Sequence, residues 1–225
     1  MNKRTKLAEC KLPNYTRGEE IFNMVTHIVG AAFGIVMLVL GIVFAAVRGH
    51  VAGVLTAIVF GLSLIVLYTM SAVYHGLSPR IKGKKVMQIL DHCSVFLLIA
   101  GSYTPLTICA LVPANPVLGW TIFALVWIVS IIGIILNSID IKKYQAFSMI
   151  CYLGLGWCIV VSFPVLVSVL PAIAIWLLLL GGIAYTLGAI LFGLGCKIKY
   201  MHSIFHIFCV LGSILQAIMI LIYVL

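Results

Sequence analysis

Seven apolar runs dominate the sequence, at roughly 22–47, 52–76, 90–112, 117–137, 146–167, 172–194 and 202–225. A helix rises about 1.5 Å per residue, so each run is long enough to cross the roughly 30 Å hydrocarbon core of a bilayer. None alternates apolar and polar residues as a barrel strand must. Backbone amides and carbonyls find no water inside lipid, and a helix satisfies them within the run itself. Hydrophobic residues make up 64% of the 225 positions and charged ones 8%. A soluble domain of this size has too little core to hide that surplus. The expected fold is an all-α membrane protein, a seven-transmembrane helix bundle over 21–225 that follows a polar, basic tail over 1–20. The breaks carry turn residues, as at Arg48-Gly49-His50, Ser78-Pro79-Arg80 and Pro113-Ala114-Asn115-Pro116.

The basic residues orient the bundle. Lys3, Arg4, Lys6, Lys11 and Arg17 precede the first run, and Arg80, Lys82, Lys84 and Lys85 follow the second. Lys142 and Lys143 follow the fourth, Lys197 and Lys199 follow the sixth, and Arg48 alone falls on the opposite side. This bias places the amino terminus in the cytoplasm and, with seven spans, the carboxyl terminus outside. The formal charge of +9 thus marks topology and anionic lipid, and nucleic acid is not expected as a partner. On this topology the acceptor-like Asn14-Tyr15-Thr16 is a chance match. Residues 1–20 do not read as a secretory signal. The seven cysteines, mostly inside apolar runs, read as small packing residues and make no disulfide framework. Glu9, Glu19, Glu20 and Asp140 fall to the tail or a loop, so Asp91 is the one acid that opens an apolar run.

Orientation brings distant polar residues to one depth. The second run ends on Ser71 and His75, the third begins on Asp91 and His92, and the seventh begins on His202 and His206. All belong a turn or two inside the cytoplasmic face, where ionisable groups are costly and normally turn inward to pair, relay protons or bind ions. His202 and His206 are four apart, which puts both rings on one helix face, the way a helix offers two ligands to one metal. With His75 as a third imidazole, one tetrahedral position stays open for water, the pattern of a catalytic zinc site. Ser71 shares the face of His75, and Asp91 is placed to hold or deprotonate the water. A His-x-x-x-His pair alone is a weak signal, and Asp91 could instead cap the start of its helix. Convergence of three histidines, a serine and an acid on three spans favours the metal. His92, about 100° around the helix from Asp91, is not expected to be a ligand. In the first span Glu20, Asn23, Thr26 and His27 fall on one face, as outer-shell partners of the site or as an interface anchor for the helix. Ser102-Tyr103-Thr104-Pro105 predicts a kink in span 3, and Gly30 with Gly34 and Gly181 with Gly182 predict close helix packing.

At Glu20-x-x-Asn23-x-x-Thr26-His27, Ser71-x-x-x-His75, Asp91-His92 and His202-x-x-x-His206 the chain resembles the hemolysin III family, the bacterial branch of the progestin and adipoQ receptor group that includes the adiponectin receptors. The resemblance covers essentially the whole chain. It implies a multi-pass protein of the bacterial plasma (inner) membrane, with Zn2+ on His75, His202 and His206 and with Ser71 and Asp91 beside the metal's water. The activity it implies is zinc-dependent hydrolysis of an amide or ester in a membrane lipid, with Asp91 and Ser71 catalytic. The family name keeps open a second class: a hemolytic or cytolytic membrane protein, or a regulator of membrane lipid and energy homeostasis. The long cytoplasmic tail of the eukaryotic receptors is missing, which argues against hormone sensing. Oligomeric state has no signal in the sequence.

Overall fold

A computed structural model describes residues 12–195 and 197–225. The tail residues Lys3, Arg4, Lys6, Glu9 and Lys11 lie outside them. Among the described residues seven helices are long and apolar enough to cross a membrane. They are α1 (Arg17–Val47), α2 (Val51–Gly76), α3 (Lys82–Ala114), α4 (Pro116–Asp140), α5 (Gln145–Val169), α6 (Ala172–Leu194) and α7 (Met201–Tyr223). No strand occurs among the described residues. Large apolar side chains such as Val29, Val43, Ile128, Ile150 and Trp176 face outward along the bundle, as lipid-facing surfaces do.

Three helix ends differ from the sequence reading. α1 starts at Arg17 because Thr16 and Glu19 form a capping box. Glu19 Oε2 accepts from the Thr16 amide and hydroxyl, each at 2.8 Å, and the Glu19 amide returns a bond to Thr16 Oγ1 at 3.3 Å. Glu19 and Glu20 therefore belong to the first turn of a spanning helix and not to a solvated tail. α3 begins at Lys82, eight residues before the apolar run, so Asp91 lies about two and a half turns inside the helix. That removes the capping role, since exposed amides end within the first turn. Asp140 is the last residue of α4 and is buried, accepting from the Lys143 amide at 3.1 Å.

Close approach is concentrated where a side chain is missing. α1 packs along α2, and α6 along α7. A Cβ on Gly30 would run into the Tyr68 ring, and one on Gly34 would crowd Leu64 and Ile65. Gly181 lies against Gln216 in the same way, whereas Gly182 has ordinary room beside Trp157. Pro105 leads into a π-helical stretch over Leu106–Leu111. Thr104 and Thr107 bond back to the carbonyls of Ala100 and Tyr103, both at 2.8 Å, a local satisfaction of a distorted helix. α5 narrows to a 3-10 turn over Cys158–Ser162. There Tyr103 Oη donates to the Leu155 carbonyl at 2.7 Å and accepts from the Ile159 amide at 3.0 Å.

Candidate metal centre

Three elements meet at the end of the bundle where α1 begins. α2 delivers His75 at its last turn, and α7 delivers His202 and His206 from its first two turns. All three rings are buried, and each offers a nitrogen within 4.8 Å of the other two. His202 Nε2 and His206 Nε2 are 3.0 Å apart. Two nitrogens on one tetrahedral zinc, each bonded at 2.0–2.1 Å, would stand about 3.3 Å apart. The spacing therefore suits an ion at modest adjustment. Buried polar atoms rarely lack partners, yet His75 Nε2 has none. A lone pair kept inside the protein without a donor suits a cation, and three imidazoles suit zinc better than a hard ion.

His75 is held from behind. Its Nδ1 donates to Glu20 Oε2 at 2.7 Å, and Asn23 Nδ2 stands 3.5 Å away. A carboxylate on the far nitrogen sets the tautomer of a ligating histidine and turns its other nitrogen to the metal. His27 sets its ring 3.8 Å from that of His206, tilted by 40°, and meets Tyr68 edge-on at 4.9 Å, and neither of its nitrogens has a partner. Glu20, Asn23 and His27 thus surround the triad. Thr26 does not join them, because its hydroxyl donates to the Phe22 carbonyl of its own helix at 2.7 Å.

A cavity of about 190 Å³ opens beside His202 and His206 between α3, α5, α6 and α7. His27, Ser71, Asp91, His92, His202 and His206 form its polar end. Leu98, Leu106, Ile159 and Leu178 line the remainder as far as Gln216. Ser71 and Asp91 therefore share a space with His202 and His206 although they come from different helices, and His75 is not among its walls. His92 lines the same space but stands outside the ligand group. Cys209, read from the sequence as packing, also lines the cavity.

Sequence reasoning passed over four contributors. Tyr15 stacks on His202 with ring centroids 4.7 Å apart and planes at 18°, so the segment read as a chance acceptor covers the site. The Thr16-x-x-Glu19 spacing was a usable signal, since it is a capping-box signature. Glu19, 3% exposed, also accepts from the Tyr200 amide at 2.7 Å. Tyr200 takes a left-handed backbone (φ 63°) just before α7, a strained conformation for a residue with a bulky side chain. The fourth, Lys84, was counted only as a topology marker.

Seven apolar helices around a buried histidine triad define a multi-pass membrane protein with a candidate metal centre. The sequence model of the family described as Haemolysin-III related matches residues 15–217, and the chain belongs to that family. It is 38% identical to Hemolysin-3 of Bacillus cereus over 208 residues, 92% of each protein. It is 35% identical to the Hemolysin-3 homolog of Bacillus subtilis (strain 168) over 199 residues, 88% of this chain and 91% of that one. The human Monocyte to macrophage differentiation factor is similar over 164 residues at 28% identity, 68% of this chain and 64% of its own length.

Proposed function

We propose that the protein is a zinc-dependent hydrolase of a membrane-lipid amide or ester, working in the plasma membrane with its amino terminus inside. The observation that supports this best is the triad's placement: His202 and His206 open onto a largely apolar cavity beside an acid and a hydroxyl. An apolar chamber with a few convergent polar groups at one end suits a ligand with a long hydrocarbon part and a polar reacting group. Zinc held there supplies a Lewis acid and lowers the pKa of water to around 7. His75, His202 and His206 hold the ion, with Glu20 fixing the first of them. Asp91 takes the proton from the attacking water, and Ser71 donates a hydrogen bond to the oxygen on which negative charge develops.

The names of the two Bacillus relatives, Hemolysin-3 and Hemolysin-3 homolog, support a second reading in which the protein permeabilises membranes without chemistry. Lipid mass spectrometry separates the two. Membranes containing the wild type should accumulate a cleavage product that Asp91→Asn reduces by roughly 10²–10⁴-fold, the usual cost of losing a general base. Identical lipid profiles for the two proteins, with leakage of liposomes that survives a chelator, would favour the second reading. Orientation has its own test. A reporter active only in the cytoplasm should be silent when fused after Leu225, and bright signal there would reverse it.

A further inference from the structure

Lys84 is 1% exposed, which is an unusual place for an ammonium. Its Nζ donates to Glu20 Oε1 at 2.6 Å and to the Leu77 carbonyl at 2.9 Å. It also stands 5.0 Å from the centre of the Tyr74 ring, within the range of a cation–π contact. Burying a charge is costly unless partners replace the lost water, and here a carboxylate, a carbonyl and an aromatic face do so. The two oxygens of Glu20 are divided. Oε1 serves Lys84 on α3, and Oε2 serves His75 on α2. Leu77 is the residue that caps α2, so the same ammonium also fastens the turn leading from α2 into α3.

We propose that Lys84 is a positioning residue for the metal centre, holding Glu20 in the orientation that presents His75 Nε2 to the ion. The inference rests on the zinc reading of the triad. A carboxylate bonded through one oxygen can swing about its remaining torsions, and a bond on each oxygen removes that freedom. With Nδ1 engaged by Glu20, Nε2 is the nitrogen left to bind, and it is the one without a partner. Lys84 bonds no ligand of the ion directly, and its route to the metal through Glu20 is separated from its contacts with Leu77 and Tyr74 by the double variant. A lysine that merely tied α1 to α3 would instead act on melting and leave the metal alone.

The test uses the full chain in detergent, stripped of metal and titrated with zinc against a chromophoric chelator. Cobalt-loaded spectra report the ligand field, and the melting of the metal-free protein is recorded alongside. Lys84→Met and Glu20→Gln should each weaken zinc by about 10–100-fold, the usual effect of removing an outer-shell partner. The double variant should bind no more weakly than Glu20→Gln alone, and Lys84→Arg should recover most of the affinity. Wild-type affinity and an unchanged cobalt spectrum in Lys84→Met would overturn the proposal. So would a double variant whose loss is the product of the two single losses. Should Lys84→Met fail to fold, Glu20→Gln decides: weakened zinc there beside near-normal zinc in Lys84→Arg supports the proposal, and normal zinc in Glu20→Gln refutes it. A wild type that takes up no zinc would overturn the metal reading beneath it, an outcome distinct from any of these.

Discussion

Two buried polar clusters sit toward the same end of the bundle and differ in how they finish their hydrogen bonds. Between α3, α4 and α5, Ser148 Oγ donates to Asn137 Oδ1 at 2.6 Å, Asn137 Nδ2 donates to Tyr152 Oη at 3.3 Å, and Tyr152 donates to the His92 carbonyl at 2.7 Å. That network runs in one line to a backbone carbonyl and reads as glue between helices. Around the triad, His27 Nδ1 and Nε2, His75 Nε2 and His206 Nδ1 stay buried and unpartnered. The open lone pair of His75 Nε2, kept at a desolvation cost of about 1–3 kcal/mol, suits a guest, whereas a completed network suits architecture. Burial and polarity alone would have ranked the two clusters together.

Substitutions can break this contrast. The largest effect belongs to the ligands: His202→Ala and His206→Ala should each leave the purified protein nearly free of zinc by elemental analysis, against about one ion per wild-type chain. Full occupancy in both variants would make the triad another piece of architecture. Asn137→Leu should have the opposite profile. It strands Ser148 without its acceptor, leaves Tyr152 only its bond to the His92 carbonyl, and should lower stability by about 1–3 kcal/mol, seen as a lower melting point in detergent, with zinc content per folded molecule unchanged. Zinc loss in Asn137→Leu would show that the two clusters are coupled through His92, whose carbonyl closes one network while its side chain lines the cavity of the other.

Much of this was legible from local pattern. Apolar run length marked the seven spans to within a few residues at most ends, and α6 matches its expected limits at both. The four-residue step from His202 to His206 survives because helix geometry is set over one turn. Charge bias brought the second, third and seventh spans to one end, which was enough to gather His75, Asp91 and Ser71. The start of α3 was missed because Lys82, Lys84 and Lys85 interrupt hydropathy, although lysines do not interrupt a helix. Lys84 and Glu19 escaped for a different reason. Their value lies in partners 64 and 181 residues away, and no window along the chain contains such a pair. Tyr15 likewise gains meaning only once α7 has brought His202 against it.

The bond from the Tyr200 amide to Glu19 also sets an order in time. Glu19 leaves the ribosome 181 residues before Tyr200, so the carboxylate lacks this backbone partner until the six helices between have been made. At the usual pace of about 5–20 residues per second, the 181 residues between them represent roughly ten to forty seconds of waiting. His202 and His206 arrive with α7, directly after Tyr200. The centre therefore cannot form before α7 is made, and a nascent chain stalled before α7 holds one imidazole of three.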